Sequence, residues 1–268
     1  MLGLGLMGGS LVRSLSAKGR SVRCWSPDAE ERAAAEELGH VHPVETPEDL
    51  ARGCDGIVVA TPLSAVRGLL ARLAAAEPES EAWIQDVASL QVPPLDWALE
   101  SGLAHRFVSA HPMAGGEASG FAASRPDLYH GAPVHLSARG ATAGARAGVT
   151  AFWNSLHALP VWTEPEEHDR RMGWLSHLPQ VLATHLASAL QDAGVDYREL
   201  GPGGRDMVRL AGSSPVMWRD VLGHAPHPVA RGLREVARRL EEEADRLSDG
   251  DAHHFAETLG RTRDWRAE

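Results

Sequence analysis

Cysteine is nearly absent: the 268-residue chain has two, Cys24 and Cys54. Neither stands at metal-ligand spacing from another ligand, and two thiols cannot make a disulfide framework, so a cysteine zinc site and a disulfide scaffold are set aside. No run approaches the ~20 apolar residues of a membrane span, and no basic segment followed by an apolar one opens the chain. The expected location is cytoplasmic, with no membrane partner. Positive charge is also short. Against 36 Asp and Glu there are 26 Lys and Arg, a net charge of −10, which is the wrong sign for a surface that must neutralise nucleic-acid phosphates. An anionic small molecule would need a local cluster of arginine instead. Lysine occurs once, at Lys18, so any mechanism needing a lysine beyond the first helix is excluded. What remains, 43% hydrophobic and 23% charged, is the balance of an ordinary globular protein rather than a disordered or fibrous one.

The chain changes character part-way along. Short β-branched or apolar runs at 21–25, 56–60, 82–87, 107–110, 134–137 and 160–162 alternate with helical patterns that include 29–38, 65–76 and 143–156. That is the βαβ alternation of a doubly wound sheet. After residue 163 the strand signals stop. Over 166–193 the apolar residues Met172, Leu175, Leu178, Leu182, Leu186 and Leu190 recur at helical spacing, and Leu233, Val236, Leu240, Ala244 and Leu247 do so over 229–247. The expectation is an α/β N-terminal domain of Rossmann type over 1–163, followed by an all-α C-terminal domain over 164–268. Stripes this long are hard to bury in one small helical domain, so a homodimer through that domain is expected.

The opening GLGLMGGSL holds Gly3, Gly5 and Gly8 as G-x-G-x-x-G, leading into a helical run at 10–18. Such glycines allow a tight turn and close approach of a pyrophosphate, whose charge the N–H groups at a helix start then receive. Only Met1 and Leu2 precede the first glycine, fewer than the ~5 residues of a usual central strand, so either the strand is truncated or the native start lies upstream, the second being the expectation. The cofactor is expected to be NAD or NADP, contacted by Gly3, Gly5, Leu6, Met7, Gly8, Ser26, Asp28 and Thr61. NAD is favoured because no arginine follows Ser26, where the second strand ends, and Asp28 lies close by. Asp28 could equally cap the helix at 29–38. No metal site is expected.

At the end of a strand comes SAHPMAGGEASGF, with His111 at the edge where doubly wound sheets place reactive groups. Together with GLGLMGGSL, DVASL at 86–90, EHD at 167–169, SHLPQ at 176–180 and GRDMVRLAGSSPVMW at 204–218, in this order, the chain resembles the prephenate/arogenate dehydrogenase family. The resemblance implies NAD(P)-dependent oxidative decarboxylation of prephenate to 4-hydroxyphenylpyruvate in tyrosine biosynthesis, or alternatively of arogenate to tyrosine. It implies His111 as the base for the ring hydroxyl and Ser89 beside that hydroxyl or the nicotinamide, both catalytic. A helix cap is the other reading of Ser89. Arg209 would grip a substrate carboxylate, unless it pairs with Asp206. Gln180 and Ser176, four apart on one helix face, would line the same pocket or form a polar seam. Glu117 and Trp218 are further substrate-binding candidates. Ala88, Gln91 and Gly116 depart from the family's usual glycine, lysine and threonine. A β-hydroxyacid dehydrogenase of the kind that uses a lysine from its helical domain has no such lysine here. A non-catalytic dinucleotide-sensing regulator is the remaining alternative.

Overall fold

The computed structural model describes residues 1–76, 81–116 and 118–267, which fall into two compact units: Met1–Met172 with Gly212–Ala225, and Gly173–Ala211 with Pro226–Glu268.

In the first unit, α1 (Leu6–Ala17), β1 (Val22–Cys24), α2 (Ala29–Glu36), β2 (Val41–Pro43), β3 (Gly56–Val59), α3 (Leu63–Ala76), β4 (Trp83–Asp86), α4 (Val92–Glu100) and β5 (Phe107–Pro112) follow in order. Next come β6 (Pro133–Ser137), α5 (Ala143–Ser155), β7 (Leu159–Trp162), α6 (Pro165–Met172) and, from the later segment, α9 (Pro215–His224), numbered in chain order. β1 pairs parallel with β2, and β3 to β7 are neighbours in chain order. Residues 1–3 join these two sheets: Leu2 bridges in parallel to both Trp25 and Val59, and its N–H donates to Val58 O at 2.8 Å. All pairings run parallel except β5 with β6, which is antiparallel and sets His111 opposite His135.

Strand residues alternate between two cores because successive side chains point to opposite faces. Val58, Val108 and Leu136 pack with Leu11 and Val12 of α1 and with Val149 and Trp153 of α5. Ile57, Val59, Ile84 and Phe107 pack with Leu69, Leu70 and Leu73 of α3 and Leu95 of α4. Helices on both faces of a mostly parallel sheet make this the expected Rossmann-type layer structure.

The second unit is helical: α7 (Leu178–Asp192), α8 (Pro202–Val208), α10 (Pro226–Ser248) and α11 (His253–Ala267). Apolar spacing predicts one helix over 166–193, but it is interrupted. α6 stops at Met172, Gly173–His177 forms a π turn, and α7 starts at Leu178. Gly173 lies under α10, where a Cβ would sit 2.8 Å from Pro228 Cβ. No helix among the described residues is long and apolar enough to cross a membrane.

Candidate active site

The glycine turn shows three different steric demands. Gly3 has φ +91°, and a Cβ there would lie 2.4 Å from Ala60 O. At Gly8 a Cβ would lie 2.0 Å from Gly3 O, so this glycine lets α1 pack onto the turn. Gly5, which precedes α1, has no atom within 4 Å of its Cβ position. The first and third glycines serve the fold and the second leaves room for a ligand, the division of labour a dinucleotide turn needs. Leu6 and Met7 form the first turn of α1, both half-buried. The site fits a dinucleotide on its own geometry.

Gly3 and Gly5 line a cavity of about 500 Å³ together with Trp25, Ser26, Glu31, Thr61 and Arg72. Thr61 Oγ1 is buried without a hydrogen-bond partner among the described residues. Ser26 Oγ donates to Glu31 Oε2 at 2.6 Å, and Ser26 O accepts from Arg32 at 2.5 Å. Asp28 is absent from this wall. Its carboxylate caps α2 by accepting the Glu30 and Glu31 N–H groups at 2.8 and 3.3 Å. The acid that lines the cavity is Glu31, one helical turn on, supplied by α2 rather than by the strand end where a ribose-binding acid is expected. Arg72 is the cavity's cation, held by Glu48 through two hydrogen bonds of 2.6 and 2.8 Å.

In the same unit β5 runs on through His111, longer than the expected 107–110. His111 Nδ1 lies 2.9 Å from His168 Nε2, and His168 Nδ1 lies 2.7 Å from Asp169 Oδ1. Asp169 in turn accepts the Gln91 and Val92 N–H groups, each at 2.9 Å, where α4 begins. A carboxylate suits that place because the first N–H groups of a helix lack partners within it. His135, opposite His111 in the sheet, stacks at a tilt with His168, ring centroids 5.3 Å apart. Burial, followed by the nearby His168 and Arg171, holds the His135 imidazole below its ordinary pKa. His168 lies in the EHD motif at 167–169 but is given no role by the sequence, and His135 falls in no motif. Their meeting depends on an antiparallel pairing that the βαβ alternation does not announce.

Ser89 sits half-buried in the turn between β4 and α4. The N-cap of α4 is Gln91, so Ser89 is not the cap of that helix. Gln91 itself points elsewhere, donating to His135 O at 2.8 Å and accepting from Ser137. Trp218, on α9, and Ala88, next to Ser89, both pack against the small cluster of Leu63, Leu90 and Val221. Asp86, which opens this turn, is fully buried, and burial pushes its carboxyl up to about 7 against the opposing Ala88 N–H at 2.9 Å.

The remaining candidates belong to the second unit. Ser176 falls in the π turn and is exposed, whereas Gln180 is buried; the wider π turn offsets the spacing that would align them. Gln180 Nε2 donates to Leu210 O at 2.7 Å, tying α7 to the turn Arg209–Gly212 on which Arg209 is exposed. Glu117 lies outside the described residues. No cluster of metal-ligating side chains occurs among the described residues.

Residues 11–159 match the family model for the prephenate dehydrogenase nucleotide-binding domain, and residues 164–261 that for the prephenate dehydrogenase dimerization domain. Prephenate dehydrogenase of Bacillus subtilis is 30% identical, over 99% of this chain and 74% of its own. The cyclohexadienyl dehydrogenase of Zymomonas mobilis is 29% identical, over 96% of this chain and 92% of its own. Prephenate dehydrogenase from A. aeolicus, solved in complex with hydroxyphenyl propionate and NAD+, has a TM-score of 0.89 at 25% identity, covering 99% of this chain and 96% of that one. The two family models together span most of the chain, over both its α/β and its helical parts, and the chain belongs to the prephenate dehydrogenase family.

Proposed function

We propose that this protein is an NAD-dependent prephenate dehydrogenase in which His111 is the base. The observation that carries this reading is the strand-end imidazole, held through Nδ1 by His168 on the unit that also holds the dinucleotide cradle. When bound, the nicotinamide supplies a hydride acceptor. His111 takes the proton of the ring C4 hydroxyl as the C4–H bond breaks with its electron pair. The ring carboxylate then leaves as CO₂, its bonding electrons complete the aromatic ring, and the proton on His111 is available to the new phenolic oxygen. General-base help of this kind contributes roughly 10²–10⁴-fold.

Ser89, on the turn facing the end of β4, would hydrogen-bond to that hydroxyl or to the nicotinamide, with Trp218 packed on the cluster that holds its neighbour Leu90. Arg209 would grip a substrate carboxylate with its planar guanidinium. The hydrogen bond from Gln180 to Leu210 O supports this by holding the turn that carries Arg209. Because position 180 is an uncharged amide with no carboxylate to pair with an ammonium, the keto acid prephenate is expected ahead of arogenate.

The preference for NAD rests on Glu31, a carboxylate on the cavity wall that would accept from a ribose hydroxyl and repel a 2′-phosphate, while Arg72 is engaged by Glu48. The helical unit exposes Leu240, Leu247, Phe255, Leu259 and Trp265, and a homodimer through it is the expected assembly. A steady-state assay crossing prephenate and arogenate with NAD+ and NADP+ tests the whole reading. Prephenate with NAD+ should give the highest kcat/KM. No turnover of either acid would favour a dinucleotide-sensing regulator instead.

A further inference from the structure

We infer that His168 and Asp169 are positioning residues that fix the hydrogen of His111 on Nδ1 and make Nε2 its proton-accepting atom. The inference rests on the reading of His111 as base and goes beyond it, since it assigns a task to two side chains of α6 that touch neither substrate nor cofactor in that reading.

For a neutral His168 the hydrogen-bond inventory leaves one arrangement. Asp169 offers only lone pairs to His168, because its two oxygens already receive the Gln91 and Val92 N–H groups at the start of α4. His168 Nδ1, 2.7 Å from Oδ1, must therefore carry hydrogen. A neutral His168 then has its lone pair on Nε2, which faces His111 Nδ1 at 2.9 Å, so His111 Nδ1 must donate. The remaining lone pair of a neutral His111 is on Nε2. His168 is 2% exposed and its ring stands edge-on to that of His111, centroids 5.1 Å apart and planes at 86°, so it cannot swing away to water.

The same chain of contacts answers the charge that catalysis creates. Once Nε2 takes the hydroxyl proton, the His111 ring is cationic, and its Nδ1–H points to a lone pair backed by the Asp169 carboxylate. No proton has to travel beyond His111. Among the described residues, the charged and titratable groups on the elements packed here include His135 from β6, Asp86 from the end of β4, and His168, Asp169 and Arg171 from α6. Of these, Asp169 is the anion joined to His111 through a continuous line of hydrogen bonds.

Asp169 also caps α4, so its removal confuses fold and function. His168→Phe separates them: the ring shape stays and Asp169 keeps its two backbone partners, but His111 loses its acceptor. The expected result is a fall in kcat of roughly 10- to 100-fold. KM for prephenate and the NADH dissociation constant, measured by nicotinamide fluorescence, should stay within about twofold. The acid limb of the kcat–pH profile should move to lower pH by about half a unit or more, because the imidazolium loses its stabilising partner. His168→Gln, whose amide oxygen can accept near the Nε2 position, should recover part of the rate and of the pH profile. This variant carries the test if the phenylalanine variant does not fold. In a His111→Asn background, His168→Phe should change kcat by less than about twofold, since residues acting as a unit are not additive. The two layers fail differently. Near-normal kcat in His111→Asn removes His111 as base. A crippled His111→Asn beside His168 variants with unchanged kcat and an unmoved acid limb, or an equal loss from His168→Phe in both backgrounds, overturns the positioning role alone.

Discussion

The dinucleotide turn and the histidine cluster lie on one unit and are made in opposite ways. Gly3 and Gly8 work by having no side chain where Ala60 O and Gly3 O crowd in, and Gly5 by leaving open space. The cluster draws His111 from β5, His135 from β6 and His168 and Asp169 from α6, and works through polar atoms aimed at one another. A site built from backbone should fail when something is added to it. One built from side chains should fail when a single polar atom is taken away, with the fold intact.

The largest effect should come from the second kind of damage. His111→Asn should lower kcat by roughly 10²-fold or more while the NADH dissociation constant and Tm stay near those of the parent protein. A variant that lost affinity for NADH instead would mean that His111 belongs to the cofactor site. On the other side of the comparison, Gly8→Ala places a methyl 2.0 Å from a backbone oxygen and should cost about 1–3 kcal/mol of stability, read as a lowered Tm. Gly5→Ala should leave stability within about 1 kcal/mol and weaken NADH binding, because its new methyl meets only the ligand. Equal loss of stability in both variants would erase the distinction between fold-serving and ligand-serving glycines.

A smaller effect belongs to Glu31, where the turn meets a side chain. Glu31→Gln keeps an acceptor for Ser26 and removes the negative charge from the cavity wall. The ratio of NADPH to NADH dissociation constants should fall by about tenfold, equivalent to about 1.4 kcal/mol. An unchanged ratio would place the 2′-hydroxyl elsewhere.

The same contrast explains what was legible in the sequence. Gly3, Gly5 and Gly8 could be read because their task is local and their spacing is the signal. Strand β2 was missed because Val41–Pro43 is too short to show alternation and ends in proline. The break at Gly173–His177 was hidden because a π turn shifts helical spacing without stopping it. His111 was found through its motif, but His168, 57 residues further on, meets it only when α6 folds against the end of the sheet. The acid near Ser26 was sought in Asp28, two residues away, while the helix cap it provides turns Glu31 toward the cavity.

The smallest effect concerns Asp86, which sits between the two sites in kind: a side chain whose burial, rather than its partner, sets its behaviour. Burial raises its carboxyl from 3.8 in the unfolded chain to about 7 in the fold. Between those values the native protein holds a proton that the unfolded chain has released, so stability falls as pH rises through that window and levels off above it. Asp86→Asn keeps an oxygen for the Ala88 N–H and has no proton to lose. The Tm of the variant relative to the parent should therefore climb with pH, by roughly 1 kcal/mol between about pH 6 and about pH 7.5, or ~2–4 °C for a protein of this size. Thermal unfolding of both proteins across that range measures it directly. A difference that stayed constant with pH would mean that Asp86 is ionised throughout in the fold, and that the turn carrying Ser89 is held by a buried charge rather than by a neutral acid.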